Sequence, residues 1–339
     1  KREGFIALED FSVHVKSIYG ISNKSNVGKA LELITVDNPL EKIKEIYTSS
    51  INLLILATIF HGLIYLSQFI VFIIILKNMK INYWIYLAYC TLMASIPISI
   101  LLAFLDLHNN IVIYIPASII LSYGLVKVLD KRKIDLIKYI SLLTYTLIVL
   151  ATLFYPKILY NSFIGFNNVF YGARFYGLNN GIMGVLLVSS ILSYYSLVKG
   201  IKKEGLKKIL GLIFALNILV LSARFGANTG GFITSVILFG LILVQNYSFN
   251  KKSIIKLIII LFLVIGIFAI NMLLDYNSAS KSHAIEFLNR IMKNGLWEFM
   301  SMLVFKAKEL FKLTVLPPFS IVLISQVLIL RKMMAFVKE

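Results

Sequence analysis

This sequence predicts a polytopic bundle of transmembrane α-helices, and three observations carry the prediction. Of 339 residues, 59% are hydrophobic and only 15% are charged, where soluble domains run nearer ~45–50% and ~25%. The mean hydropathy is +0.85. The apolar residues are also gathered into runs long enough to cross hydrocarbon, since roughly 20 helical residues span a core about 30 Å thick. No stretch alternates with period two, and open sheet edges are intolerable in lipid, which leaves helices as the spanning solution. The composition excludes a water-soluble enzyme, a disordered chain and a collagen. The net charge of +18 is dispersed between apolar runs, so no nucleic-acid partner is expected.

Residues 1–48 precede the first long apolar run. Asp10-Phe11-Ser12 has the pattern of a helix start, with Asp10 or Ser12 as the capping side chain. Val13, Ile18 and Tyr19 would share an apolar face, and Gly20 would close the helix in a left-handed conformation. His14 on this helix reads as a surface or interface residue rather than a ligand. The chain opens on Lys1 with no signal-peptide pattern, and so short a segment is too small to fold alone. The expectation is a remnant of a preceding extracytoplasmic domain at 1–48, a polytopic domain at 49–339, and a chain that is the downstream part of a longer protein.

Runs at 51–76, 84–105, 111–128, 139–156, 180–198, 209–223, 231–246, 257–274 and 316–330 give about nine spans. Basic residues orient them. One set of connections holds Lys77, Lys80, Lys131, Arg132, Lys133, Lys138, Lys199, Lys202, Lys203, Lys207, Lys208, Lys251, Lys252 and Lys256, and then Arg331, Lys332 and Lys338 after the last run. The alternate short connections hold none around Asp106–Asn110, then Lys157 with Arg174, then Arg224. The first set should be cytoplasmic, which puts the N-terminal segment and the long loop 275–312 outside and the C-terminus inside a plasma membrane. Cys90, the one cysteine, reads as a small buried hydrophobe; it leaves no disulfide within the chain and no cysteine cluster for a metal. No metal or cofactor is expected.

Three outward-facing motifs stand out. In Gly172-Ala173-Arg174-Phe175-Tyr176-Gly177-Leu178-Asn179-Asn180, Gly177 permits a tight turn and Asn179 or Asn180 can cap the following helix. The helix amides and Arg174 together suit an anion such as phosphate or carboxylate; the structural reading is an arginine snorkelling to headgroups beside an ordinary cap. Ser222-Ala223-Arg224-Phe225-Gly226-Ala227-Asn228-Thr229-Gly230-Gly231 joins two short runs. A Gly- and Asn-rich break near membrane depth lines a cavity or packs on protein, so Arg224 and the Asn228–Gly231 amides form a second candidate cradle. Its plainer reading is a tight helical hairpin in which Gly230 and Gly231 allow close packing. Residues 281–295 contain an amphipathic helix, with Ile285, Leu288 and Met292 at helical spacing and Gly295 as its stop. His283 precedes it as a candidate acid or base, and Glu286 and Arg290 share a face where they can pair. The plainer reading is a helix lying at the interface, anchored by Trp297 and by Lys306, Lys308 and Lys312. His61, Gln68 and His108 read as structural.

Residues 4–31 resemble the C-terminal end of alkaline-phosphatase-superfamily domains, through a strand at Gly4–Leu8, a helix from Asp10, Gly20-Ile21 and Gly28-Lys29-Ala30-Leu31. Val13-His14 stands where that family usually has Pro-Thr. The membrane part resembles bacterial membrane proteins that carry such an extracytoplasmic domain ahead of a multi-span domain. The likeness rests on Arg174-Phe175-Tyr176-Gly177 with Asn180, on Gly226-Ala227-Asn228 with Gly230-Gly231, and on Ser282-His283 with Gly295 and Lys306. The resemblance implies phosphatase metal ligands upstream, so this chain holds no complete catalytic set. A second resemblance is to O-antigen ligases and polymerases, through Arg174–Asn180, Ser222–Gly226 and the loop 275–312; it implies glycan transfer from a lipid-pyrophosphate donor.

The expected function is therefore an envelope membrane protein with an outer-face pocket for an anionic phospholipid headgroup or a lipid-linked glycan phosphate. Its candidate binding residues are Arg174, Tyr176, Gly177, Asn179, Asn180, Arg224, Asn228, Gly230, Gly231 and Arg290, with His283 as the candidate catalytic group. The alternatives are an O-antigen ligase-type glycosyltransferase and a solute transporter, although no acidic residue lies centrally in any span to couple protons or sodium. A purely structural anchor would need one span rather than nine.

Overall fold

The computed structural model describes residues 4–6, 8–21, 30–77, 82–167, 177–244, 251–277, 283–317 and 319–338. All regular structure among them is helical. The chain divides into two units, residues 1–54 with 90–286 and residues 55–89 with 287–339.

The first unit opens with α1 (Leu8–Ile18). Its end follows the sequence: Gly20 has φ +67, its N–H reaches the Ser17 carbonyl at 3.1 Å, and the Ile21 N–H reaches Lys16 at 3.0 Å. Its start does not. Leu8 is already helical, so Asp10 and Ser12 lie inside the helix, and Asp10 is buried. Gly4 sits in a turn with φ +78, not in the strand expected over Gly4–Leu8, and Gly28-Lys29 lies outside the described residues. The unit continues with the first part of α2 (Pro39–Leu76) and most of α3 (Tyr83–Phe104). A 3-10 turn at Leu107–Asn109 then leads to α4 (Ile111–Lys131). Asn110 caps α4 by accepting from Val112 and Ile113, and Asp135 caps α5 (Leu136–Phe154) by accepting from Lys138. Pro156 opens the short α6 (Pro156–Tyr160), where a missing N–H costs nothing.

Then come α7 (Asn180–Val198), α8 (Glu204–Leu210), α9 (Leu212–Leu221), α10 (Thr229–Val244), α11 (Lys251–Tyr276) and the first turn of α12 (His283–Asn294). Helix α5 packs along α7, α9 touches both, and α10 meets α7, α9 and α11. Ile140, Ile148, Ile182, Leu186, Phe214 and Leu221 are fully buried there. Ser189, Ser190 and Ser193 are buried on α7, where small side chains let helix backbones approach in lipid. Asn217 of α9 donates to Ser190 Oγ at 2.7 Å, and the Tyr145 hydroxyl of α5 donates to the Ile213 carbonyl at 2.8 Å, so hydrogen bonds join these helices as well as apolar contact.

The second unit holds the remainder of α2, the start of α3, the rest of α12, α13 (Leu296–Val315) and α14 (Phe319–Lys338). The Tyr89 hydroxyl donates to the Ser67 carbonyl within it. Helices α13 and α14 pack together with a bend of 78° between them.

Among the described residues, five helices, α2, α3, α4, α5 and α7, are long and apolar enough to cross a membrane, or six if the bent α13–α14 pair counts as one. The chain is thus a multi-pass integral membrane protein. Two further expected runs are shorter helices, α9 with 10 residues and α10 with 16, where the chain breaks around Gly211 and again over 222–228; the run at 257–274 lies within the 26-residue α11, and the run at 316–330 falls largely in α14. Within the expected loop 275–312, the amphipathic helix read over 281–295 is α12, ending before Gly295 as expected, and most of α13 adds a second helix there.

Candidate functional site

Two of the sequence motifs meet at one end of the first unit. The Leu178 N–H donates to the Gly226 carbonyl at 2.7 Å. Asn228 Nδ2 returns the contact, donating to the Leu178 carbonyl at 2.9 Å and to Asn180 Oδ1 at 3.3 Å. The helices that follow, α7 and α10, therefore start side by side and run from the same end. Backbone sterics explain the glycines. Gly177 has φ +74, and a Cβ there would lie 2.6 Å from the Gly226 oxygen; at Gly226 a Cβ would collide with the Val220 carbonyl. Only hydrogen fits at either position. The turn between α9 and α10 is closed by Ala227 N–H to Ser222 at 2.9 Å and Asn228 N–H to Leu221 at 3.3 Å. It is tied to α11 by Ala223 N–H to Asn271 Oδ1 at 3.0 Å.

The two asparagines do the same double duty. Asn179 Oδ1 accepts from the Ile182 N–H at 2.8 Å, capping α7, while its Nδ2 reaches the Ile164 and Phe166 carbonyls at 3.2 and 3.3 Å. Asn228 Oδ1 accepts from the Gly231 N–H at 2.8 Å, capping α10, while its Nδ2 holds Leu178. Side chains of the protein thus take two of the amides that the sequence offered to an anion. Gly231 also lies against α7, where a Cβ would sit 2.6 Å from Met183 Sδ, whereas Gly230 is exposed.

Beside this junction lies a cavity of about 830 Å³. Tyr160 belongs to both: its hydroxyl accepts from the Gly177 N–H at 3.0 Å, and it lines the cavity with Lys157 and the buried Asn161. The start of α2 contributes Glu41, Lys42, Lys44 and Glu45, and the 3-10 turn contributes Asp106 and His108. Asn52 Nδ2 braces that turn by donating to the Asn109 and His108 carbonyls at 3.0 and 3.3 Å, and Asp106 takes φ +52 to enter it. Lys42 pairs with Glu45 at 3.5 Å, and Glu41 accepts from Asn38 at 3.0 Å. Among the described residues, Lys44 and Lys157 form no ion pair. Two ammonium groups with hydroxyl and amide neighbours can hold a phosphate or carboxylate by charge-assisted hydrogen bonds. No group of metal-ligating side chains occurs among the described residues.

No protein-family model, curated protein or solved structure matches this chain. The cavity therefore has to be read on its own residues. Arg174 and Tyr176 lie outside the described residues, immediately before Gly177. Arg224 is exposed, its guanidinium 5.8 Å from the Phe225 ring centroid, and does not line the cavity. Arg290 pairs with Glu298 at 3.5 Å, across Gly295 rather than with Glu286, and lies 5.8 Å from the centroid of Phe287. His283 is the first residue of α12. His61 is exposed, its Nδ1 2.6 Å from the Ala57 carbonyl oxygen, and His108 is buried in the cavity wall. Sequence reasoning missed Lys44, Tyr160, Asn161 and Asn271. A Pro-started helix in a polar connection signals Tyr160, and an asparagine inside an apolar run signals Asn271, but neither signal names a partner.

Proposed function

We propose that this chain is the membrane part of an envelope protein of the alkaline-phosphatase-like kind, and that the polar end of its first unit faces the outside and takes a phosphate-bearing lipid headgroup. The observation that carries the reading is the cavity of about 830 Å³ with Lys44 and Lys157 at its wall. It is continuous through Tyr160 with the joined starts of α7 and α10. Both lysines reach out on flexible stems, so they suit a compact anion approached from the membrane surface. The short connections at this end hold no lysine or arginine over Asp106–Asn110, then Lys157 with Arg174, then Arg224, whereas the alternate connections are lysine-rich; that asymmetry supports an extracytoplasmic placement. The phosphatase part rests on the resemblance of residues 4–31.

The test uses the full chain in neutral detergent, titrated calorimetrically with short-chain phosphatidylglycerol and with short-chain phosphatidylcholine. The double variant Lys44→Gln, Lys157→Gln is expected to lose about tenfold or more in affinity for the glycerol lipid, roughly 1.4 kcal/mol, with unchanged thermal stability. Equal affinities of variant and wild type would remove the cavity as the headgroup site. A Lys157→Cys variant in intact cells should react with a membrane-impermeant maleimide; protection until lysis would place this end inside.

A further inference from the structure

We propose that α13 lies flat in the membrane surface and seats its lysine-rich face among anionic phospholipid headgroups. Helix α13 has 20 residues, none of them buried, yet it falls short of a span by itself and passes only together with α14. Its side chains explain why. At helical spacing, Leu296, Phe299, Met300, Leu303, Leu310 and Phe311 occupy one side. Ser301, Lys308, Glu309 and Lys312 fall on the other side together with Phe305, and Lys306 stands at the border of the apolar side beside Phe299. A helix so divided cannot lie across hydrocarbon without burying charge, and in water it would leave a continuous apolar side uncovered. At the interface both sides are satisfied: the apolar face enters the acyl boundary and the lysine stems snorkel to phosphates.

Two features of the backbone agree. The chain turns by 78° between Leu296–Val315 and Phe319–Leu328, the near-perpendicular step that joins a surface helix to one entering the bilayer. At the other end, Gly295 is exposed with φ +79 and no side chain caps the helix. The polar side and its border carry three lysines against Glu309 over 306–312, and Glu309 pairs with Lys312 at 2.9 Å. That leaves Lys306 and Lys308 for headgroup phosphates, and the charge complementarity selects an anionic lipid surface as the occupant. This surface belongs to the second unit, so the inference stands or falls apart from the cavity described above.

The experiment places single cysteines at Ser301, Leu303, Glu309 and Leu310 of the full chain, with Cys90→Ser as background. Nanodiscs of phosphatidylcholine alone, or mixed equally with phosphatidylglycerol, hold the protein. With a water-soluble maleimide, positions 301 and 309 are expected to react about tenfold faster than 303 and 310, as an in-plane amphipathic helix requires. The contrast should widen with phosphatidylglycerol and narrow again in Lys306→Gln, Lys308→Gln. Uniform protection of the four positions, as in a spanning helix, would overturn the placement; so would uniform reactivity, as in a helix in water. A contrast indifferent to phosphatidylglycerol would overturn the headgroup assignment. Cys90 is buried, so the wild-type cysteine supplies the labelling baseline should the serine variant misfold.

Discussion

Helices α7 and α10 begin very differently from α13. At α7 and α10 an asparagine fills the first turn and its amide reaches into a neighbouring loop; at α13 a glycine with φ +79 stands there with no side-chain cap. The difference follows from surroundings. Gly177, Leu178, Gly226 and Asn228 are buried, so each polar group must find a partner in the protein or carry the cost of an unmet bond. Gly295 is exposed, and solvent or headgroups serve instead. A helix start inside the bundle is built from specific contacts, and one at the surface needs only a permissive backbone.

Matched glycines sharpen that contrast most. Gly177→Ala places a methyl on a left-handed backbone and within 2.6 Å of the Gly226 oxygen, costs of about 1–2 kcal/mol for the conformation and about 1–3 for the clash. Gly295→Ala has nearly the same φ but meets nothing within 4 Å, so only the conformational part remains. Thermal unfolding in detergent should show a clearly larger fall for Gly177→Ala. Equal falls would mean the junction is no tighter than the surface.

Next in size is Asn228. Asn228→Leu removes the α10 cap and leaves the Leu178 carbonyl unmet, a loss of about 2–4 kcal/mol. Asn228→Ser keeps a neutral oxygen able to cap the Gly231 N–H and loses the reach to Leu178, so it should unfold between wild type and the leucine variant. A serine variant as unstable as the leucine one would show that the cap contributes nothing.

The smallest effect belongs to the exposed side. Arg290→Ala breaks the 3.5 Å pair with Glu298, with Arg290 more than half exposed, and such pairs are worth about 0–1 kcal/mol. Its melting temperature should stay close to wild type; a loss as large as that of Asn228→Leu would mean that Arg290 holds its helix as the buried asparagine does.

Much of this site could be read along the chain, but its partners could not. Gly177 and Asn179 were visible as a turn glycine followed by a capping asparagine, and the structure uses Asn179 as that cap; Asn228 was visible only as part of a glycine- and asparagine-rich break, and the structure makes it the cap of α10. What the spacing could not show is that each asparagine spends its amide on another segment, Asn179 on the loop after α6 and Asn228 on Leu178. Capping is local, decided within three residues; the second bond joins positions some 13 to 50 residues apart. The cavity was hidden for the same reason, since its walls come from α2, the 3-10 turn and α6.

Composition and run length by themselves determined that this is a helical, multi-pass membrane protein, because hydrocarbon accepts only chains that satisfy their own backbone within each span. They also determined where helices close, as at Gly20, and where they break, as between α9 and α10. Tertiary structure alone decided which breaks meet and which lysines share a cavity. Those outcomes depend on contacts between distant segments, and nothing in local spacing encodes which distant segment will arrive.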